Sequence, residues 1–464
     1  MKRLSKNALS FILSDVMRRV LGFLAVAYLA RTVGASGFGV ISIGFSVLAY
    51  ALLASSAGLS TYGTREIAKG GAPSLVKKIA SLRLALALLV YIIVVVIIAM
   101  VVPDIVTAGV IIICCLSIFA NAALLDWYFQ GKEEMTIVGI GRVLSAGIYV
   151  LVLFGFVHSE HNILWVPVGA VIGDLIATIF LLKVYRNRYG SLSLAYEPAE
   201  WKPLVEKSVL LSGGNILGNL SINLPPLVIG VIMTNIQVGV YSAASRLVVF
   251  LLMLDRTLAA LLLPAASRLH AATSEKLADR LGLALKWIIA VGLPLSVGGS
   301  LLSNKIISLV YGAQYGDAAP VFRVLIWYFF ITMLHTVFTS GLLAMGQEKA
   351  YLNTMGISAL IYGASVIVCT KTFGILGAAA AMVGSEAITL VLMRRQFRKF
   401  VKLYEVNNIV KALPAALIMG FVVFVGSSLP LIGSIILGGI VYVGVIYFTK
   451  AITLTDLKEL LERV

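Results

Sequence analysis

Residues 84–102 read LALALLVYIIVVVIIAMVV, which is a run of 19 residues without a charge. A helix of about 20 mostly apolar residues crosses the hydrocarbon core of a bilayer. Lipid offers no hydrogen-bonding partner to a backbone amide, so a segment of this kind must be helical there. This stretch therefore predicts a membrane-spanning helix, and it sets the pattern for the rest of the chain.

Comparable apolar runs recur along the whole 464-residue chain, and we predict an all-α polytopic membrane protein with about fourteen spans. The composition agrees, because 60% hydrophobic and 12% charged residues do not fit a single soluble core. The predicted spans are 10–33, 38–62, 80–102, 105–129, 136–157, 163–183, 208–233, 237–263, 281–303, 321–344, 351–372, 374–394, 409–428 and 431–450.

The basic residues predict the orientation of the chain. If the N-terminus is cytoplasmic, the cytoplasmic loops hold 26 of the 37 Lys and Arg residues, whereas the opposite loops hold only Lys305 and Lys371. An excess of these residues marks cytoplasmic loops. We therefore expect both termini in the cytoplasm and the chain in the inner or plasma membrane. The net charge of +16 then reflects topology and anionic-lipid contact, and we expect no nucleic-acid partner.

Four short stretches recur in the same order in two halves of the chain. For example, Phe38–Ser42 corresponds to Val238–Ser242, 200 residues later. A repeat with an even number of helices gives two copies in the same orientation. We therefore predict two lobes that flank a central cavity. The predicted division is 1–190 for an N-terminal six-helix lobe, 191–206 for a cytoplasmic linker, 207–400 for a C-terminal six-helix lobe, 401–450 for two further helices and 451–464 for a cytoplasmic amphipathic tail.

Four arginines lie deep in predicted spans, where a charge costs roughly 2.5–3.5 kcal/mol even on the most lenient scale. We predict that they line the cavity and bind an anionic group. The alternative is a structural ion pair, for which Asp15 is a partner of Arg19 one helical turn away. Arg83 lies nearer a span end and is expected to be an interfacial anchor. The four deep arginines are Arg18, Arg19, Arg142 and Arg246.

Asparagines on the seventh predicted helix form a polar face. Asn215, Asn219 and Asn223 recur every four residues, which places them on the same side of a helix. We predict that they bind sugar hydroxyls in the cavity. The alternative is amide hydrogen bonding between helices. The following Pro225 and Pro226 remove backbone donors, so we predict a bend there that acts as a hinge.

Two acidic residues are candidates for coupling transport to an ion. Asp174 and Glu386 lie near the middle of equivalent spans, and either could carry H⁺ or Na⁺. The alternative is a structural pair with an arginine. His335 is expected to be a hydrogen-bonded core residue. No nucleophile elbow, P-loop or metal-ligand spacing occurs, so we expect no catalytic residue, no bound metal and no cofactor.

Five stretches stand in a characteristic order: Val33–Gly39, Gly239–Ala244, Pro264–Arg268, Leu309–Tyr315 and Phe373–Ala379. In these the chain resembles the polysaccharide transporters, or O-antigen-type oligosaccharide flippases, of the multidrug/oligosaccharidyl-lipid/polysaccharide superfamily. The resemblance implies two six-helix lobes, alternating access and export of a polyprenyl-pyrophosphate-linked oligosaccharide for surface glycans such as lipopolysaccharide O-antigen. The family has no universal catalytic motif, so the candidate residues above rest on charge and position alone.

A lipid-linked oligosaccharide flippase is therefore the leading interpretation, because arginine forks bind pyrophosphate well and the spans hold more cations than acids. The expected partners are the lipid-linked oligosaccharide, membrane lipids and polysaccharide polymerase machinery. A lipid II flippase is a close alternative. A multidrug or cation antiporter is a second alternative, for which an acid-dominated cavity is expected. A membrane polymerase or acyltransferase is less expected, since such enzymes usually have a large outer loop or a His/Asp pair.

Overall fold

The computed structural model describes residues 2–71, 73–192, 197–270, 274–401 and 406–449. These residues form fifteen α-helices and two short 3₁₀ turns, with no strand among them, so the all-α prediction is confirmed there. The helices are α1 Lys2–Ser56, α2 Leu59–Ala68, α3 Pro73–Val101, α4 Ile105–Ala123, α5 Asp126–Gly131, α6 Met135–Phe156, α7 Trp165–Tyr189, α8 Pro198–Ile232, α9 Asn235–His270, α10 Ser274–Leu301, α11 Ser303–Tyr311, α12 Ala318–Ala344, α13 Glu348–Phe397, α14 Val406–Val425 and α15 Leu431–Thr449.

Ten helical segments of the described residues are long and apolar enough to cross a membrane. Two of them, Ser14–Ser56 and Glu348–Phe397, contain 43 and 50 residues. Since one crossing needs about 20 residues, each of these segments has the length of two spans. The chain is a multi-pass membrane protein, while the number of fourteen crossings stays a prediction.

Glycines interrupt the two longest helices where the sequence predicts a turn between spans. Gly34 in α1 has φ 69° and ψ −178°, and Gly374 in α13 has φ 62° and ψ −146°. These conformations are readily adopted only by a residue without a Cβ atom. Both interruptions fall at the junctions between predicted spans 10–33 and 38–62 and between 351–372 and 374–394.

The chain divides into two compact units, Met1–Ser242 and Ala243–Val464. In the first unit, α1 packs against α3, α4, α6 and α8, and α7 packs against α4 and α6. In the second unit, α12 packs against α10 and α13, and α14 packs against α10 and α15. Helix α8 begins inside the predicted linker 191–206, whereas the predicted tail 451–464 lies outside the described residues. The predicted domain ranges stay predictions.

Two predicted spans of the first unit end earlier than expected. The second ends at Ser56 because Ala57 and Gly58 take left-handed φ values of 42° and 77°. The fourth ends at Ala123 because Leu124 is extended. The short helices α2 and α5 follow these breaks and pack on each other. Thr64 Oγ1 of α2 donates a hydrogen bond to the carbonyl oxygen of Trp127 in α5 at 3.0 Å. The two short helices that follow the breaks therefore stabilise each other.

Arg83 is buried beside the second break, and the expectation that it anchors at the interface is wrong. The residue is only 2% exposed. Its guanidinium donates to the carbonyl oxygens of Asn121 at 2.6 Å and Leu124 at 3.1 Å, and to Asn121 Oδ1 at 3.0 Å. Carbonyls at a helix C-terminus lack intrahelical donors and favour a nearby cation. Arg83 therefore satisfies the end of α4 inside the unit.

Gly39 of α1 and Gly239 of α9 lie where two helix backbones touch. A Cβ atom on Gly39 would overlap the carbonyl oxygen of Asn235, and one on Gly239 would overlap that of Ala35. Both glycines belong to the repeated stretches Phe38–Ser42 and Val238–Ser242. The repeated motif is therefore a packing motif, because glycine is the residue that permits this approach.

Replacing Gly39 or Gly239 by alanine should destabilise the protein by at least about 1–3 kcal/mol, since a backbone oxygen cannot move aside as a flexible side chain can. The measurement is the unfolding temperature of each purified variant, together with its level in the membrane. Gly147→Ala is the matched control, because a Cβ atom there meets nothing within 4 Å. Unfolding temperatures equal to that of the control would contradict the backbone contact.

Candidate functional site

A polar cavity of roughly 380 Å³ lies within the first unit. Helices α1, α4, α6 and α7 and the start of α5 contribute its walls. Four charged side chains line it: Arg18, Asp126, Arg142 and Asp174. Charged residues inside membrane proteins face a cavity or one another because lipid solvates them poorly. The structure thus brings two predicted arginines and one predicted coupling acid to a single cavity.

Arg142 and Asp126 form a loose pair on one wall of this cavity. Arg142 Nη2 lies 3.5 Å from Asp126 Oδ2, and the two side chains are 32% and 22% exposed. Asp126 also accepts a hydrogen bond from the backbone N–H of Trp127 at 2.8 Å, because it stands in the first turn of α5. Asp126 was not among the predicted site residues, and its position at a helix N-terminus is the local feature that holds it.

Arg18 and Arg19 share one carboxylate on α1. Arg19 Nε donates to Asp15 Oδ2 at 2.6 Å, and Arg18 Nη2 donates to Asp15 Oδ1 at 3.1 Å. The pairing of Asp15 with Arg19 is as the spacing predicts. Arg18, however, is 41% exposed, whereas Arg19 is 18% exposed. One carboxylate and two guanidinium groups have a net charge of +1, and of the two arginines Arg18 is the one that lines the cavity.

Asp174 lies on α7 at the cavity wall and accepts a hydrogen bond from Ser145 Oγ of α6 at 3.0 Å. Within the described part of the chain it forms no ion pair with an arginine, so the structural alternative is not realised there. The close approach of α6 and α7 that joins these two side chains depends on Gly173. A Cβ atom at Gly173 would lie 2.6 Å from the carbonyl oxygen of Ser145.

The remaining predicted charges lie in the second unit. Arg246 is on α9 and interacts electrostatically with Tyr311 of α11. Glu386 Oε1 of α13 lies 3.0 Å from His335 Nδ1 of α12. Among the described residues the partner of Glu386 is therefore a histidine, whereas the structural alternative was a pair with an arginine, and His335 is hydrogen-bonded as expected. Arg246 and Glu386 are not part of the cavity described above.

The polar face of α8 is only partly described. The side chains of Asn215 and Asn219 lie outside the described residues, and that of Asn223 is half-buried. Ser212 Oγ of the same face donates to the carbonyl oxygen of Gly58 at 3.3 Å, which is a structural contact with the break before α2. Helix α8 continues through Pro225 and Pro226, both of which are buried. The bend, the hinge and the sugar-binding role stay predictions.

Sequence reasoning missed a row of hydroxyl residues beside His335. Thr332, Thr336 and Thr339 surround His335 on α12 with a spacing that places all four residues on one helix face. The pattern T-x-x-H-T-x-x-T was the available signal. Among the described residues, no group of three or more His, Cys, Asp or Glu side chains has a geometry that could hold a metal ion.

Comparison with known proteins matches two family models to this chain. The polysaccharide biosynthesis protein family matches residues 4–270, and the lipid II flippase MurJ family matches residues 141–447. A probable low-salt glycan biosynthesis flippase, Agl15 of Haloferax volcanii, is 20% identical over 99% of both chains. A putative O-antigen transporter of Shigella flexneri is 21% identical over 86% of this chain and 99% of its own length.

Solved structures share the fold. A lipid II flippase MurJ in an inward closed conformation aligns with a TM-score of 0.75 and 15% identity, over 95% of this chain and 98% of its own. An inward-facing multidrug resistance MATE family transporter of the MOP superfamily aligns with a TM-score of 0.68 and 14% identity, over 84% and 97%. At sequence identities of 14% and 15%, the structural similarity establishes the fold alone.

Arg83→Ala and Arg142→Ala should behave differently, although both remove an arginine near Asp126. Loss of Arg83 leaves the carbonyl oxygen of Leu124, just past the end of α4, without this donor, at about 1–3 kcal/mol, whereas the carbonyl oxygen of Asn121 keeps the N–H of Leu124. Loss of Arg142 removes a part-exposed pair that contributes about 0–1 kcal/mol. Unfolding temperatures of the purified variants measure this difference. Equal losses in the two variants would mean that Arg83 is not the cap of α4.

Proposed function

We propose that this chain, which belongs to the polysaccharide biosynthesis protein family, is a flippase for a polyprenyl-pyrophosphate-linked oligosaccharide. It moves this lipid from the cytoplasmic to the outer leaflet by alternating access. The product then serves the synthesis of a surface glycan of the O-antigen type. The chain acts in the plasma membrane with both termini in the cytoplasm.

One observation carries this proposal: similarity to a glycan biosynthesis flippase extends over 99% of both chains. A second relative named as an O-antigen transporter matches along almost all of its own length. The shared region therefore includes the whole membrane-spanning part and not a single module. Because these relatives are named for glycan transport, a glycan-bearing lipid is the cargo class that best fits both.

In this proposal the cavity of the first unit binds an anionic headgroup because it offers N–H donors, although its positive and negative charges balance. Three arginines near it, Arg18, Arg19 and Arg142, are matched by Asp15, Asp126 and Asp174. A guanidinium has five N–H donors, however, and Arg18 uses only one of them on Asp15. Its remaining donors can form charge-assisted bonds to phosphate oxygens. In this proposal Arg18 and Arg142 bind the pyrophosphate from the first unit.

Arg246, Asn215, Asn219 and Asn223 complete the proposed substrate path. Arg246 of the second unit is proposed as a further cation that binds an anionic group of the cargo, and the three asparagines are proposed to bind sugar hydroxyls through amide groups that both donate and accept. Pro225 and Pro226 provide the place where α8 bends during the transport cycle. Polysaccharide polymerase machinery is the proposed downstream partner, because it consumes the exported lipid-linked sugar.

A lipid II flippase is the second candidate, because the lipid II flippase MurJ family model matches residues 141–447. Lipid II also carries a polyprenyl pyrophosphate, so the arginines serve both cargoes equally. A multidrug antiporter shares the fold as well, but organic cations do not need exposed guanidinium donors. An enzyme acting on lipid-linked sugars is disfavoured, since the relatives are named as flippases and transporters.

Alanine at Arg18, Arg142 or Arg246 should reduce export of the lipid-linked oligosaccharide while the protein stays in the membrane. Loss of hydrogen bonds to a charged group costs about 1.5–3 kcal/mol, which corresponds to a roughly 10- to 100-fold weaker interaction. Lysine at the same positions should restore activity only in part, because it lacks the planar fork. The measurement is the glycosidase-accessible fraction of labelled lipid-linked oligosaccharide in proteoliposomes.

Arg188→Ala is the matched control, because Arg188 is an exposed arginine that pairs with Glu134 at 2.7 Å, away from the cavity. Parallel assays with lipid II and with an organic cation identify the cargo class. A variant with alanine at Arg18, Arg142 and Arg246 together is also tested. Normal oligosaccharide flipping by this triple variant at normal protein levels would remove the three arginines from the mechanism. Flipping of lipid II alone would replace the proposed cargo by the second candidate.

A further inference from the structure

Helix α12 carries a polar seam, which we define as Thr332, His335, Thr336 and Thr339; Thr336 is buried and the other three are half-buried. These residues follow each other at intervals of three, one and three, so they lie along one helix face over about 10 Å at 1.5 Å per residue. The neighbouring positions Met333, Val337 and Phe338 are buried and apolar. A row of polar groups within such a helix requires partners that the apolar neighbours do not provide.

Two acids from other helices meet this seam. Glu386 of α13 forms the 3.0 Å contact with His335, and the side chains of His335 and Glu386 are only 12% and 13% exposed. Asp255 of α9 lies beside Thr336 and interacts electrostatically with both His335 and Glu386. Three ionisable groups from three helices of the second unit thus converge in one place, which we call the Asp255–His335–Glu386 triad.

Several buried polar atoms of the seam and triad have no hydrogen-bonding partner among the described residues. They are Asp255 Oδ1, Thr332 Oγ1, His335 Nε2 and Thr339 Oγ1. A buried polar atom without a partner costs about 1–3 kcal/mol. The atoms include an acceptor on a carboxylate, a ring nitrogen and two hydroxyl groups that both donate and accept. Such a set can take up, hold and pass on a proton.

The charges around the triad make its protonation state consequential. From α9 it is faced by Arg256 as well as Asp255, and from α13 by Glu386. With both acids ionised, an imidazolium and Arg256 balance the charge, and removal of the imidazolium proton leaves one net negative charge in a poorly solvated region. The other elements packed against α12 are α10 and α11, whose described charged side chains are Asp279, Arg280, Lys286 and Lys305.

A metal ion fits this place less well than a proton. The triad does not have the geometry of a metal site among the described residues. Histidine, moreover, is the side chain whose unperturbed charge change falls in the physiological pH range. A proton needs only the donor and acceptor atoms already present, and it needs no ligand shell.

We propose that the Asp255–His335–Glu386 triad is a proton-binding site and that the protein exchanges a proton held there for its cargo. This inference rests on the proposed flippase function and names its coupling ion. The seam of threonine hydroxyls provides the route along which the proton reaches the triad. Asp174, the other acid proposed for coupling, lies in the first unit with a serine partner and no imidazole.

The test uses the whole protein in proteoliposomes with labelled lipid-linked oligosaccharide. A pH gradient is imposed in either direction, and a Na⁺ gradient is imposed separately. Proton exchange predicts that cargo accumulates in the leaflet on the acidic side, whichever way the protein is inserted, because protons and cargo move in opposite directions. Flipping without a gradient is measured in the same preparation and reports cargo movement by itself.

His335→Gln, Glu386→Gln and Asp255→Asn should abolish accumulation driven by the pH gradient and keep the gradient-independent flipping. Glu348→Gln is the matched control, since Glu348 is an exposed acid at the start of the same helix as Glu386. This control and Asp174→Asn should retain the response to pH. Persistence of the response in the triad variants, or its loss in Asp174→Asn alone, would overturn the assignment.

The outcomes also separate this inference from the proposed function. Wild-type flipping that responds to Na⁺ and not to pH would overturn proton exchange and leave the flippase standing. Absence of flipping in any condition would overturn the proposed cargo. Proton binding would then be measured on the purified protein without cargo.

A variant without His158, His161 and His270 retains His335 as the last of the four histidines. Magnetic resonance of isotope-labelled His335 in that variant measures its protonation directly, so the answer does not depend on whether the triad variants fold. We expect the ring to change its protonation state within the pH range over which flipping responds to the pH gradient. A ring that keeps one protonation state over this range would overturn the proposal.

Discussion

Every backbone amide and carbonyl within the hydrocarbon must find its partner inside the protein, and this constraint governs the structure. Unbroken helices meet it automatically, whereas each interruption needs a local solution. At Gly34 and Gly374 the solution is a single residue that takes a left-handed conformation. At the end of α4 it is Arg83, whose guanidinium satisfies two carbonyl groups and one side-chain amide oxygen. A charge that is costly in lipid thereby becomes part of the architecture.

The same requirement shapes the candidate sites differently in the two units. In the first unit the arginines have carboxylate neighbours, yet Arg18 keeps exposure and unused donors towards a cavity. In the second unit a carboxylate pairs with a histidine, and several buried polar atoms around them have no hydrogen-bonding partner in the part of the chain that the structure describes. Asp174 and Glu386 occupy equivalent helices, but one meets a serine and the other an imidazole. The buried and half-buried charges of the two units therefore have different partners: carboxylates in the first unit and an imidazole in the second.

Much of this was predictable from the sequence, because bilayer thickness and backbone hydrogen bonding leave few choices. The helical class, the apolar segments and the turns at Gly34 and Gly374 follow from the apolar runs and their junctions. The end of α4 at Ala123 does not, since an apolar sequence gives no sign that a distant arginine will cap a helix. The break after Ser56 does not either, since Ala57 and Gly58 lie inside an apolar run that is long enough to continue. The hydrogen-bonding partner of His335 was not predictable for a related reason: Glu386 is 51 residues away, and only packing brings the two side chains together.

The contact at Gly39 and Gly239 has a symmetry that bears on the history of the chain. Gly39 meets Asn235, and Gly239 meets Ala35. Ala35 and Asn235 are 200 residues apart, as the two glycines are, so they occupy equivalent positions of the two repeats. Such reciprocity is the mark of an isologous interface, in which one surface patch faces a copy of itself. A single ancestral copy pairing with its twin would have made this contact twice through one glycine. In a chain formed by duplication, the two glycines would then be two copies of one contact, and a side chain at either position would disturb the same pair of helix ends.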